Sequence, residues 1–163
     1  MDLAIEVRPA TRADAQQIYA FIHELAEYEK AAHEVVASAD DVVRTLFEGR
    51  GPAKALICER AGQAIGFAVY FFSYSTWLGR SGIYLEDLYV TPAARGCGAG
   101  KMLLRHIARI AMQEGCGRFE WSVLDWNEPA IRFYQSLGAK PQDEWIRYRL
   151  AGDALRDFAQ DNG

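Results

Sequence analysis

The period of the apolar positions changes several times along the chain, and each change marks an element. A short alternating stretch closes at Val7, and Thr11 with Asp14 three residues on resembles a capping arrangement that opens a helix. Ile18, Phe21, Ile22 and Leu25 recur at i, i+3, i+4 and i+7, so that helix carries one apolar face to about Tyr28. Ser38, with Asp40 and Asp41 in the first turn, predicts a second helix ending by Gly49 or Gly51. From Ala53 the period drops to two. Ala53 to Arg60 and Ala64 to Tyr74 are β-prone runs joined by Ala61-Gly62-Gln63, a hairpin, and Ser81 to Val90 is a third run ended by Thr91-Pro92. A glycine-rich stretch, Arg95 to Gly100, then opens onto a helix near Lys101 with Leu103, Leu104, Ile107, Ala108 and Ala111 on one face. Arg118 to Val123 predicts a further strand. Asn127 is placed to cap a helix with Pro129 in its first turn that ends at Gly138, Trp145 to Leu150 alternates as a last strand, and Asp153 to Ala159 forms a short terminal helix. Three successive strands without crossovers must be largely antiparallel, so the expected fold is mixed α/β: a mostly antiparallel, twisted central sheet flanked by helices.

Composition narrows the function more than the fold. With 163 residues, half of them hydrophobic and a quarter charged, the chain is expected to form one domain, 1–163, with a core that needs no disulfide or metal. Eighteen Lys and Arg against 22 Asp and Glu give a net charge of -4, which argues against nucleic acid or an anionic membrane as partner and favours a cationic ligand. Cys58, Cys97 and Cys116 have no C-x-x-C spacing, and His23, His33 and His106 have no ligand spacing, so no metal is expected. The N-terminal ten residues lack an apolar signal core and no 18-residue apolar run occurs, so the expected location is the cytoplasm.

The glycine turn carries the first chemical signal. Arg95-Gly96-Cys97-Gly98-Ala99-Gly100 lets the backbone approach a ligand closely, and the following helix start has unpaired N–H groups suited to phosphate oxygens. A Walker A motif would need a glycine where Arg95 stands and Ser or Thr where Met102 stands, and a Rossmann fingerprint would follow its strand directly. The turn instead resembles the coenzyme-A loop R/Q-x-x-G-x-G/A of the GCN5-related N-acetyltransferase superfamily. Glu24 to Glu29, Tyr74 to Trp77, Tyr84 to Val90 and Leu124 to Pro129 resemble its diamine acetyltransferase subfamily, which includes spermidine/spermine and thialysine enzymes. The similarity runs from about Val7 to Leu150 and implies a GNAT-like acyl-coenzyme-A N-acyltransferase fold with acetyl-coenzyme A as cosubstrate.

Acetyl transfer from a thioester to an amine needs a neutral amine, a donor to the developing oxyanion and a proton for the departing sulfur. The resemblance implies Tyr134 as the acid, and a tyrosine of ordinary pKa near 10 is protonated at neutral pH. Packing of Tyr134 against Ile131 is the competing local role. Glu86 matches the family's base, acting through water, whereas the adjacent Asp87 should face the other way unless the strand bulges. The resemblance further implies that Leu88, Tyr89 and Val90 present backbone to the pantetheine arm. It implies that Arg95, Gly96, Cys97, Gly98, Ala99 and Gly100, with Lys101 of lesser weight, hold the pyrophosphate, and that Asn127, Pro129 and Ala130 contact the coenzyme-A arm. Tyr28, Glu29, Trp77, Asp87, Glu144 and Trp145 are the candidates for an alkylammonium, through rings and acids. Spermidine/spermine enzymes carry Asp-Pro before the Trp, where this chain has Ser75-Thr76, so a lysine-like amine or small diamine is expected ahead of a polyamine. Acetylation of a protein N-terminus or lysine and a non-catalytic acyl-coenzyme-A-binding domain are the alternatives. A homodimer is expected from the resemblance and from the aromatic run Tyr70 to Trp77.

Overall fold

A computed structural model describes residues 4–161, which divide into two compact units, one up to Leu124 and one from Asp125 onward. The first holds a five-stranded sheet in the order β1 (Ile5–Pro9), β2 (Lys54–Arg60), β3 (Gln63–Ser75), β4 (Arg80–Val90) and β5 (Phe119–Trp121). All pairs are antiparallel except β4 with β5, which is parallel. The expected hairpin is present: Ala61 at φ 55° and Gly62 at φ 74° are the two positive-φ residues of a tight turn whose twist suits the flanking strands.

Helices cover both faces of this sheet. α1 (Ala15–Tyr28) and α2 (Ala39–Phe47) bury Ile18, Phe21 and Val42 with Ile57, Phe67, Val69 and Tyr89. Phe21 lies 5.6 Å from both Phe67 and Tyr89. α3 (Ala99–Gln113) packs on β1, β2, β3 and β4 and buries Leu103, Leu104 and Ile107. The start of α2 is a reciprocal capping box, with Asp41 N–H donating to Ser38 Oγ at 3.1 Å and Ser38 N–H to the Asp41 carboxylate at 2.8 Å. Thr11 pairs with Asp14 in a second capping box. Its N–H donates to Asp14 at 2.7 Å, and the Asp14 carboxylate is spent mainly on Arg8.

The unit from Asp125 holds α4 (Glu128–Ser136) and α5 (Gly152–Gln160). The strand expected at Trp145 to Leu150 is not there: these residues are exposed and take no regular form. Alternation marks a segment that could pair, but a strand exists only against a neighbour, and the described residues of this unit include no other strand.

Candidate functional site

β4 organises the first unit's chemistry. Its register on β3 slips between Val69 and Tyr70, with Asp87 opposite Val69 and Leu85 opposite Tyr70, so Glu86 is the extra residue of a bulge. The bulge breaks strict alternation, and the two neighbouring carboxylates share one electrostatic environment. Burial, then the charges of Glu86 and Glu29, push Asp87 up to about 6, while burial and the Glu86 charge push Glu29 up as well. Glu29 sits just past the end of α1, so an acidic trio forms between that helix end and the bulge. Such a trio suits a cation.

Pairing of β5 with β4 stops at Leu85 and Trp121, and Leu88, Tyr89 and Val90 continue beyond it, paired on β3. β4 then runs through Thr91-Pro92 into the glycine turn. Gly96 at φ 83° and Gly98 at φ 89° hold left-handed conformations that L side chains rarely adopt, and a Cβ at either would meet nothing within 4 Å. Gly98 is the N-cap of α3, and no side chain caps that helix start. An open cradle before an uncapped helix N-terminus fits a phosphate-bearing group. Cys97 is half-buried in the turn and Lys101 is exposed on the first turn of α3.

Arg95, expected on the pyrophosphate, is exposed and also touches protein. Its guanidinium lies over the ring of Tyr28 at 5.1 Å and that of Tyr89 at 5.9 Å, and its Nε donates to the Val90 carbonyl at 3.2 Å. Tyr28, a candidate for the amine, therefore also meets Arg95. Glu24 joins this neighbourhood: burial and the Glu24 charge raise Tyr89, with Arg95 opposing. Sequence reasoning left Glu24 out of the site, although its i, i+4 spacing to Tyr28 put both on one face of α1.

Trp77 stands at the tip of the β3–β4 hairpin, largely exposed, with Arg118 6.0 Å from its ring. At about 3.4 Å per residue the strand carries it far from the acidic trio, and the structure does not bring it beside those carboxylates. Ser75, where polyamine enzymes have an acid, is buried and accepts from Leu78 N–H at 3.2 Å, so it shapes the hairpin end. In the second unit, Asn127 occupies the N-cap position of α4 and its side chain makes no capping bond, against the expected local role. Pro129 and Ala130 lie in the first turn of α4. Tyr134, partly buried on α4, has the Phe133 ring at 5.6 Å, and Glu144 and Trp145 are exposed at a turn closed by Trp145 N–H to Gln142 O. No group of three or more metal-ligating side chains among the described residues is arranged to hold a metal ion, and no described helix is long and apolar enough to cross a membrane.

The model of the acetyltransferase (GNAT) family matches residues 16–139. This chain belongs to that family. The GNAT chain is 37% identical over 165 residues to the thialysine N-epsilon-acetyltransferase of Mus musculus, covering 94% of itself and 96% of that protein. It is 30% identical over 196 residues to the L-ornithine N5-acetyltransferase of Arabidopsis thaliana, covering 92% and 86%. Among solved structures, an integron cassette protein from the mobile metagenome of V. cholerae superposes with a TM-score of 0.82 at 26% identity, over 98% of this chain and 99% of that one. The GNAT chain is an acetyltransferase, and its relatives support an amine as acceptor. Glycine turn, bulged β4 and acidic trio all lie within the residues that match the family.

Proposed function

We propose that this acetyltransferase moves an acetyl group from acetyl-coenzyme A to a primary amine of a small cationic substrate, a lysine-like amine such as thialysine first, a small diamine or polyamine next, by direct attack. The observation that carries the reading is the acidic trio of Glu29, Glu86 and Asp87 on the same strand that leads into the open glycine cradle. The acceptors named for the thialysine and ornithine relatives are amines of this class. When bound, the thioester supplies the electrophilic carbonyl. Backbone N–H groups of Gly96 to Lys101 hold phosphate oxygens, and the backbone of Leu88 to Val90 orients the arm and the acetyl oxygen. Asp87 and Glu29 hold the substrate's cationic end, and Glu86 takes the proton of the attacking ammonium through a water. Asn127, Pro129 and Ala130 steady the arm, and Tyr134 gives its phenolic proton to the departing sulfur. Residues 1–163 act as one catalytic domain, in the cytoplasm and as a homodimer.

A panel of amines offered with acetyl-coenzyme A, with free thiol followed over time, tests this. Thiol release with thialysine or a short diamine is the expected result. Turnover confined to a lysine-bearing peptide would reassign the substrate to protein. Coenzyme binding without turnover on any amine would leave a binding domain and sink the catalytic reading.

A further inference from the structure

We propose that Arg95 is a positioning residue that couples the coenzyme cradle to the amine side of the site, by clamping the glycine turn to the end of α1. The proposal rests on the acetyltransferase reading above and adds a link between its two halves. Three pieces of chain meet on one guanidinium. Arg95 opens the turn, Tyr28 is the last residue of α1, and Tyr89 lies two residues beyond Asp87 on β4. The Nε–H donates to the Val90 carbonyl and the guanidinium carbon lies 5.1 and 5.9 Å from the two ring centres, so the one group touches all three pieces.

The position of Glu29 follows from the same contact. α1 ends at Tyr28 with Glu29 as its C-cap, and Lys30 adopts φ 60°, a left-handed break. Tyr28 is more than a third exposed, and the Arg95 cation adds a directional hold on its ring. Whatever steadies the glycine turn therefore steadies Tyr28 and the adjoining Glu29. Conversely, an ammonium drawn to Glu29 favours the arrangement in which Arg95 is seated and the cradle is open. Reciprocity requires each ligand to raise the other's affinity by the same factor. Lysine could keep a charge near one ring, but it has no planar edge to spend on Val90 while stacking.

Calorimetry of the full chain with coenzyme A, in Arg95→Met, Tyr28→Leu, the double variant, Tyr28→Phe and Arg95→Lys, tests the clamp. Tyr28→Leu should weaken coenzyme A about three- to tenfold although Tyr28 is not on the turn. Arg95→Met should do the same, and the double variant should lose no more than the worse single one. Tyr28→Phe, which keeps the ring, should bind as the wild type does, and Arg95→Lys should fall between. For thialysine, Arg95→Met should raise KM more than it lowers kcat. Additive losses, unchanged affinity in Tyr28→Leu, or a loss in Tyr28→Phe as large as in Tyr28→Leu would overturn the clamp. Failure of the wild type to bind coenzyme A would overturn the acetyltransferase reading and the clamp together. Should either truncation fail to fold, the Tyr28→Phe and Arg95→Lys affinities still decide it: wild-type affinity in the first with a partial loss in the second supports the clamp, and any other pair of results overturns it.

Discussion

Gly98 holds φ 89° with open space where a Cβ would stand, so two separate costs attach to filling it. An alanine in the left-handed region costs about 1–2 kcal/mol of backbone strain, which lowers stability without a clash. Its methyl group also occupies the cradle, which adds a binding cost that the bare protein does not feel. Gly98→Ala should therefore weaken coenzyme A binding at least tenfold, by calorimetry, while the melting temperature drops only a few degrees; unchanged affinity in a folded variant would remove the turn from the site. At Asp87 the sign is reversed. Its carboxyl, raised from an ordinary 3.8 to about 6 by burial beside Glu86 and Glu29, binds more protons folded than unfolded between those two values. The buried charge thus costs stability fully above pH 6 and nothing below about 3.8. Asp87→Asn should raise the melting temperature at pH 7.5 by a few degrees, lose that gain by pH 4, and impair binding of a cationic amine; a gain equal at both pH values would show that charge burial is not the cause. Tyr134→Phe keeps the ring and deletes the proton. It should lower kcat by about 10²–10⁴-fold with little change in thermal stability, and wild-type kcat across the pH range would assign the proton to another group or to water.

Elements divide into those that local chemistry specifies and those that need a neighbour. The capping box of Ser38 and Asp41 is local, and Ser38→Ala should cost about 1 kcal/mol, lowering the melting temperature by roughly 2–4 °C with kcat unchanged, since α2 contributes nothing to the acidic trio or the turn. The α1 face of Ile18 and Phe21, the Ala61-Gly62 turn and the α3 face of Leu103, Leu104 and Ile107 were legible for the same reason: period and turn chemistry act within a few residues. The bulge was legible only as a condition, because one extra residue in β4 changes neither composition nor alternation enough to be read. Trp145 to Leu150 misled because alternation states a willingness to pair and says nothing of whether an edge is within reach. The resemblance implies Arg95 at the phosphate, and the structure adds a contact that its place in the turn does not record. That contact with Tyr28 joins positions 67 residues apart, and no local pattern records such a contact.

At the scale of the whole molecule, the β3–β4 hairpin outruns the sheet. β2 pairs with β3 only up to Lys54 and Tyr70, so Phe71 to Ser75 continue past the end of β2. That overhang is apolar where water meets it: Phe72 is 39% exposed, Tyr74 68%, Leu78 45% and Trp77 78%. A projecting strand edge with a run of exposed rings invites pairing with another chain unless charge or proline blocks it, and Phe71 to Ser75 contain neither. A second copy offers the same edge and the same rings, and an antiparallel pairing about a two-fold axis would satisfy both at once. We therefore expect a dimer built on the overhang, seen by sedimentation at micromolar concentration. A charge at an exposed position of the edge should dissociate it: Tyr74→Lys places two like charges near the axis and should give folded monomers whose melting temperature, unlike the wild type's, does not change with concentration. A wild-type monomer would remove the dimer altogether, and a dimer unaffected by Tyr74→Lys would move its interface away from this hairpin, leaving the exposed aromatic rings to another role.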